Sequence, residues 1–582
     1  MSRGRKTDRT ADATQPGAMQ PDATPSAGTA VTADTAVAAR AVARDRAAGL
    51  RRPTRLGTAL GAATGVVLLA ATAAIASGHV IAGLPARPGA DVGIPAAAVP
   101  AGDYTAVCPA PPRLVESVGD GADPEFGPAS AGARTTVSGV VLSDLGATVT
   151  GSGLLPVGGE EPLALIREFA TGDSPDVPAG SGEDGLTDRV AGVTRGVAVD
   201  AATVLRAQAQ GGLTPAAAAT ATYTAADGDL RGLAATACQV PSSDFWLLGA
   251  ATTVGQSAIL TLTNPTGTPA EVSLELFGPD GPLGAAGTRG QLVAPGETRR
   301  IVLAALAGNQ ERVAVRVRSD GGRVSGVIQQ SVLRGLTPGG VELLSPSAPA
   351  GLTQVVPGVV VQDAATARRI REQEGYGTAA PALQVLVPGS SDAVLDIRVS
   401  GPAGEVDLPG GGVVTAAAGS VTSVPLDALP EGTYTVAVAS DVSVVAAARV
   451  TRGIDDGEPV DLAGAPAAAR LGSDHVVALA EGVDTSLVLG APDGRGEITL
   501  TPVQADGALG EPVVIGIAGG TSVTVPSSSV GRSPVAVIVD ATGDPVYGAQ
   551  VMTLPGDRSG ISVAGIPAGA TGPQSIPVDL GY

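Results

Sequence analysis

The sequence predicts an all-β ectodomain of tandem antiparallel β-sandwich modules, immunoglobulin-like in build, after one N-terminal transmembrane helix and a disordered cytoplasmic tail. Three observations predict it. Beyond residue 238, runs of five to eight residues alternate apolar and polar and are rich in Val, Ile and Thr, the pattern of strands with one buried face. Asn-Pro, Pro-Gly, Asp-Gly and Gly-Gly pairs bound those runs as turn signals. Near the N-terminus lies an uncharged stretch, Leu56 to Pro85, longer than any strand requires.

Residues 1–54 are rich in Ala, Thr, Asp, Pro and Arg with no sustained apolar period, and read as a disordered basic tail. Residues 1–55 carry +5, which leaves −25 on the rest of a chain of net −20. The transmembrane helix is placed at 55–84, because about 20 apolar residues span roughly 30 Å of hydrocarbon. Arg40, Arg44, Arg46, Arg51, Arg52 and Arg55 crowd its N-terminal flank, whereas the first basic residue beyond it is Arg87. The positive-inside rule then puts the N-terminus in the cytoplasm and the C-terminal part outside. A cleavable signal peptide, ending at Ala74-Ile75-Ala76, is disfavoured by the long leader and long apolar core. The Gly57, Gly61 and Gly65 spacing is read as general Ala/Gly richness rather than as a helix-pairing motif.

A linker at 85–103 leads to a β-rich module at 104–240, with a polar loop at Gly172–Asp188. Cys108 and Cys238 are the only cysteines. They lie on the outer side, where disulfides persist, and two cysteines allow one pairing, so a Cys108–Cys238 bridge should close this module. Three repeats of one strand order follow at 241–345, 352–453 and 470–556, arranged as a row, and a tail occupies 557–582. Asp280-Gly281, Asp320-Gly321, Asp493-Gly494 and Asp506-Gly507 should supply hairpin turns with positive φ. Within the second repeat, Gln362–Gly377 looks helical and carries Arg368, Arg369 and Arg371. It reads as a solvated insertion whose arginines pair with nearby acids, with a basic docking loop as the alternative.

The residues offer little chemistry. The chain has two His, one Trp, 2% aromatic residues and, among 36 basic residues, a single Lys (Lys6). A Ser-His-Asp relay would need His475, but Ser473 and Asp474 are its immediate neighbours, and adjacent residues on a strand point to opposite faces. No Ser sits in GxSxG, and no Gly-rich loop matches GxxxxGK[ST]. Glu160-Glu161 and Asp455-Asp456 lie in turn-like contexts, with few aromatics to build a sugar cleft. Calcium is the least implausible metal, at Asp120/Asp123, Glu183/Asp184/Asp188 or Asp227/Asp229, although none has EF-hand spacing. An acidic ectodomain repels phosphate, so nucleic acid is not an expected partner.

The Cys108-Pro109 start, the GDLRGLAATAC segment ending at Cys238, Trp246-Leu247-Leu248-Gly249 followed by LTLTNP, and LPEGTYTVAVASD resemble an actinobacterial membrane-anchored family. That family is catalogued as domain of unknown function 5719. The resemblance covers roughly 104–555 and implies an extracytoplasmic protein with no catalytic residues to carry over. The expectation is a non-enzymatic single-pass membrane protein without cofactor, presenting its modules to the cell envelope as a scaffold, adhesion or interaction protein. The alternative is an accessory protein that binds envelope glycan with calcium assisting.

Overall fold

The strand Ala270–Gly278 shows how the alternation is used. Val272, Leu274 and Leu276 point into a core while Glu271 stays exposed, because successive strand side chains face opposite ways. In the computed structural model, the described residues are 102–114, 130–143, 146–170, 189–209, 213–455 and 457–569, with the short paired strands Ala96–Val99 and Gln574–Pro577. The predicted tail and transmembrane helix at 1–84 lie outside them, as does the polar loop at 172–188. Among the described residues no helix is long and apolar enough to cross a membrane.

Nearly all of the regular secondary structure among the described residues is strand. It forms four modules with one plan, each a pair of antiparallel sheets closed over an aliphatic core. In the second module, the first strand is Asp244–Ala250, the third Ala270–Gly278 and the sixth Val313–Gly321. The fourth position is split between Gly281–Leu283 and Gln291–Val293, and these strands pair in the order first, sixth, third, fourth. The facing sheet orders Thr298–Val302, Gln256–Thr263, Ser325–Arg334 and Thr337–Leu344 as fifth, second, seventh and eighth. The other three modules repeat both orders, and in the third the sixth and seventh strands fuse into Gly432–Gly453.

The expected all-β character holds, and the strand order of the modules differs from that of immunoglobulins. In immunoglobulins the first strand pairs with the second and the seventh with the sixth. Here the first strand joins the sixth and the seventh joins the second. The eighth strands of the third and fourth modules, Val460–Pro466 and Ile561–Gly565, fall beyond the stretches 352–453 and 470–556. Gly281, Gly321 and Gly507 do adopt positive φ, but Gly494 does not.

The modules close into a ring rather than a row. Tyr223 and Leu230 of the first pack on Val327 and Leu343 of the second. Trp246, Leu248 and Phe277 of the second meet Leu386, Val421 and Val445 of the third. Val356 and Val359 of the third share a core with Ala549, Val551 and Val563 of the fourth. Val476 and Ile538 of the fourth return to Val140 and Leu142 of the first. Both faces of several sheets are therefore apolar, and Ser325–Arg334 is buried at every position. Alternation alone does not reveal a second covered face, which is why a row was the natural expectation.

At the ring's axis the four eighth strands meet: Gly232–Ala237, Thr337–Leu344, Val460–Pro466 and Ile561–Gly565. No ladder joins one axial strand to another, so their inward N–H groups need other acceptors. Asp461 supplies them. Its Oδ1 accepts from Val341 N (3.3 Å) and Leu462 N (3.0 Å), and its Oδ2 from Leu233 N (3.0 Å) and Ile561 N (3.1 Å). One carboxylate thus takes an N–H from each module. Its space is cleared by glycine: a Cβ on Gly232 or Gly340 would lie 2.7 or 2.4 Å from Oδ1, and both have positive φ.

Beside it, Glu342 is also fully buried. Its carboxyl meets Leu343 N (2.7 Å), Val563 N (3.4 Å) and the Ser562 hydroxyl (2.9 and 3.0 Å). Burial raises Glu342 well above the ordinary carboxyl range, and the charge of Asp461 raises it further. Burial also pushes Asp461 up to about 7, against the pull of its four N–H donors. The Ser562 hydroxyl donates to the Glu342 carboxyl and also lies 3.1 Å from Ala235 O, while its oxygen accepts from Ala235 N at 2.9 Å.

Two predictions follow from these contacts. Raised carboxyl pKa values mean that the folded state holds protons the unfolded state has lost. The stabilisation is complete below about pH 4 and is lost as pH rises through about 7. Denaturation midpoints should therefore fall between pH 5 and pH 8, and Glu342→Gln, which cannot ionise, should flatten that slope. Asp461→Ala strands four buried N–H groups at about 1–3 kcal/mol each and should prevent the ring from closing, read as loss of the cooperative transition. Cys108 and Cys238 are disulfide-bonded across 130 residues, tying the first strand of the first module to the residue after its eighth. Cys238→Ser should lower unfolding free energy by up to about 4–5 kcal/mol in the chain-entropy limit, measured in denaturant without reductant.

Candidate functional site

The outer face of the second module carries a charged row over its one tryptophan. Trp246, Arg316 and Glu275 stand directly opposite one another on three adjacent strands, so their side chains share one face. Arg316 grips Asp244 with two bonds, Nε to Oδ1 at 3.0 Å and Nη2 to Oδ2 at 2.7 Å. Its Nη1 lies 3.6 Å from Glu275 Oε2. The guanidinium stacks over Trp246 at 4.9 Å, and Trp246 tilts against Phe277 at 5.9 Å. The hydrogen bonds to Asp244 raise the Arg316 pKa further, so this charge is permanent.

Where this face meets the third module, a groove of about 630 Å³ opens. Asp244, Trp246 and Arg316 form one wall, and Ser390, Ser391 and Ser443 line the other. The tight Asp244–Arg316 pair leaves the groove locally neutral, and its hydroxyls can donate and accept. Such a lining suits neutral, hydroxyl-rich or main-chain ligands better than ions. Trp246 is only 5% exposed. It offers an edge rather than a stacking platform, and mainly welds two modules together.

The residues singled out from the sequence are scattered. His475 is buried: its Nδ1 is 2.7 Å from Pro567 O and its Nε2 accepts from Gly472 N at 2.8 Å. With the proton assigned to Nδ1, both nitrogens are occupied. Asp474 turns away with φ 54° to pair with Arg189 at 2.7 Å. Glu160 and Glu161 are exposed. Asp227 accepts from the Ser130 hydroxyl, and burial raises the Asp229 pKa. Asp120, Asp123, Glu183, Asp184, Asp188 and Asp456 lie outside the described residues. Among the described residues no group of three or more His, Cys, Asp or Glu side chains is placed to hold a metal. The insertion contains the helix Ala364–Arg371, capped by Asp363, which accepts from Thr366 N at 2.8 Å. Arg369 pairs with Asp455 at 3.1 Å and Arg371 with Asp427, while Arg368 is exposed.

Sequence reasoning missed Asp461 and Glu342. The available signal was a single acid inside an apolar run, VDLAGAP and GGVELL, where a strand with two covered faces leaves no water for it. Arg316 and Asp244 were missed because their partnership depends on register.

The described residues define an all-β protein of fused two-sheet modules with buried polar contacts at their junctions. The chain belongs to the Family of unknown function (DUF5719), which matches residues 193–528. The matched stretch begins in the fifth strand of the first module and ends after the fifth strand of the fourth. No curated protein and no solved structure matches the chain.

Trp246 makes the groove measurable. Its emission should be blue-shifted and poorly quenched by iodide. Arg316→Ala should shift it to the red and cost about 1–2 kcal/mol of stability through the lost stack. An unchanged spectrum would show that Arg316 does not cover the ring.

Proposed function

We propose that this is a non-enzymatic, single-pass membrane protein that presents its ring of sandwiches to the cell envelope as a scaffold, adhesion or interaction protein. In this reading residues 55–84 span the membrane, the N-terminus is cytoplasmic and the modules lie outside. The observation that carries the reading is repeated four times. Each module's fourth-position strands expose an apolar side chain, Leu165, Leu292, Val413 or Val514, although in the third module the same sheet also continues through a parallel Gly401–Thr521 pairing into the fourth. Open edges offer unpaired main-chain groups, and proteins that do not use them normally guard them with charge or proline. Strand addition by a partner uses both the main chain and such side chains.

The modules' kinship to immunoglobulin-like domains is part of the same reading. Tyr434, near the start of the fused sixth strand, donates its hydroxyl to Pro430 O at 2.8 Å, as a tyrosine corner does. The second reading, an envelope glycan-binding accessory protein with calcium assisting, is favoured by the serine-lined groove beside Asp244 and Arg316.

Capture from envelope extracts separates the two. With the full-length protein as bait, the scaffold reading expects co-purifying proteins that are lost when Leu165, Leu292, Val413 and Val514 are changed to Lys together. Retention on purified wall polysaccharide, abolished by Arg316→Ala or by chelation of calcium, would instead favour the glycan reading. Protease accessibility of the N-terminal tail in intact cells would sink the assigned topology.

A further inference from the structure

Arginines in this structure usually sit with an acid: Arg189, Arg206, Arg231, Arg316, Arg371 and Arg398 all form ion pairs. Arg334 does not. It closes the seventh strand of the second module, is 8% exposed, and has no carboxylate partner among the described residues. Its Nη1 donates to Gly339 O at 3.3 Å and its Nε has no partner. One face of the guanidinium lies over the Tyr376 ring at 4.7 Å, brought there by the arginine-rich insertion of the third module. Arg449, on the fused strand of the third module, is half-buried, with Nε donating to Ala380 O at 3.4 Å. Arg312 completes the group from the second module. Its Nε donates to Val421 O at 3.3 Å, and its Nη1 is 3.3 Å from Glu311, which is largely exposed.

These charges act on one another. Burial lowers Arg334 to about 10, and Arg449 pushes in the same direction. Burial also lowers Arg449, and Arg312 adds to it, with only Glu311 opposing. Guanidinium groups remain charged in proteins. Burying such a charge beside others of its sign without an anion costs several kcal/mol. A chain with 56 acidic residues has no shortage of carboxylates to place there. Among the described residues Arg334 Nε has no acceptor and each of the two guanidiniums makes one hydrogen bond, to a carbonyl, and the fork geometry of arginine matches the oxygens of phosphate and carboxylate.

We propose that Arg334, Arg449 and Arg312, with Tyr376 as the covering ring, form a binding site for an oxyanion (a phosphate or carboxylate group) at the junction of the second and third modules. The site is separate from the serine-lined groove and goes beyond the scaffold reading, which can fail without affecting it. The anion supplies the countercharge the junction lacks, so its occupancy stiffens the contact between these two modules.

The test is thermal unfolding of the full-length protein, titrated with inorganic phosphate in one arm and succinate in the other, each at constant ionic strength set with chloride. The expected result is a saturable rise in the midpoint, roughly 3 °C or more at saturation, absent in Arg334→Gln and Arg449→Gln. A response to phosphate alone assigns the site to phosphate groups, and a response to succinate alone assigns it to carboxylates. Should those variants not fold, Arg312→Gln, at the more exposed end, should fold and weaken the anion about tenfold by calorimetry. No rise in either arm overturns the proposal, as does an equal rise in Arg334→Gln or an unchanged affinity in Arg312→Gln.

Discussion

One carboxylate holds the ring closed. Four strand edges converge on the axis, and their N–H groups have no opposing strand to receive them. An ionised carboxylate is acceptor-only and offers about four lone-pair sites on two oxygens, which matches one N–H from each of four modules. A neutral amide would turn donors toward donors. A hydrophobic residue would leave all four groups unmet in a region without water. The four N–H donors offset only part of the cost of burying the charge of Asp461, whose pKa burial still pushes up to about 7. Burial first, and then the charge of Asp461, raises the pKa of neighbouring Glu342, whose carboxyl accepts from the Ser562 hydroxyl.

This arrangement makes the relative placement of the modules a consequence of the axis rather than of their flanking loops. Gln329 reinforces it by exchanging two bonds with the backbone of Arg113, at 2.9 and 2.8 Å, across the first and second modules. The fixed axis then sets what faces outward. On all four modules the fourth-position strands belong to the sheet that does not hold the axial eighth strand, and the serine-lined groove has one wall from each of two modules. The groove's width therefore depends on a contact between modules, which Trp246 and Phe277 fill.

Much of the strand content was legible because period-2 alternation and turn glycines act locally. Ala270–Gly278 and Gly496–Val503 bury alternate residues along most of their length, and the sole cysteine pair left one bridge to draw. The ring was not legible. Val327 and Leu343, which face the first module, look in the sequence like any strand residue, since alternation reports one buried face and is silent on what covers the other. The arginine-rich insertion was read correctly as a helix with acid partners for Arg369 and Arg371, but its Tyr376 over Arg334 joins residues far apart in sequence. Asp461 belongs to the same class: its meaning comes from three strands distant in the chain.

The scarcity of aromatic residues links these features. Cores of Val, Leu and Ala drive burial strongly but without direction, and four similar modules packed through such surfaces have many near-equivalent registers. Directional contacts must select one. Large aromatic residues can supply some of that selection, yet this chain has one Trp, six Tyr and four Phe. Where it has them at junctions it locks them with arginine, as in Arg316 over Trp246 and Arg334 over Tyr376. Elsewhere it buries acids and amides between modules, where a shifted register would leave a charge or an N–H unmet at a cost of several kcal/mol. Buried polar groups thus do for this ring what shape-specific aromatic packing does in richer cores: they make the wrong arrangements expensive, not the right one merely favourable.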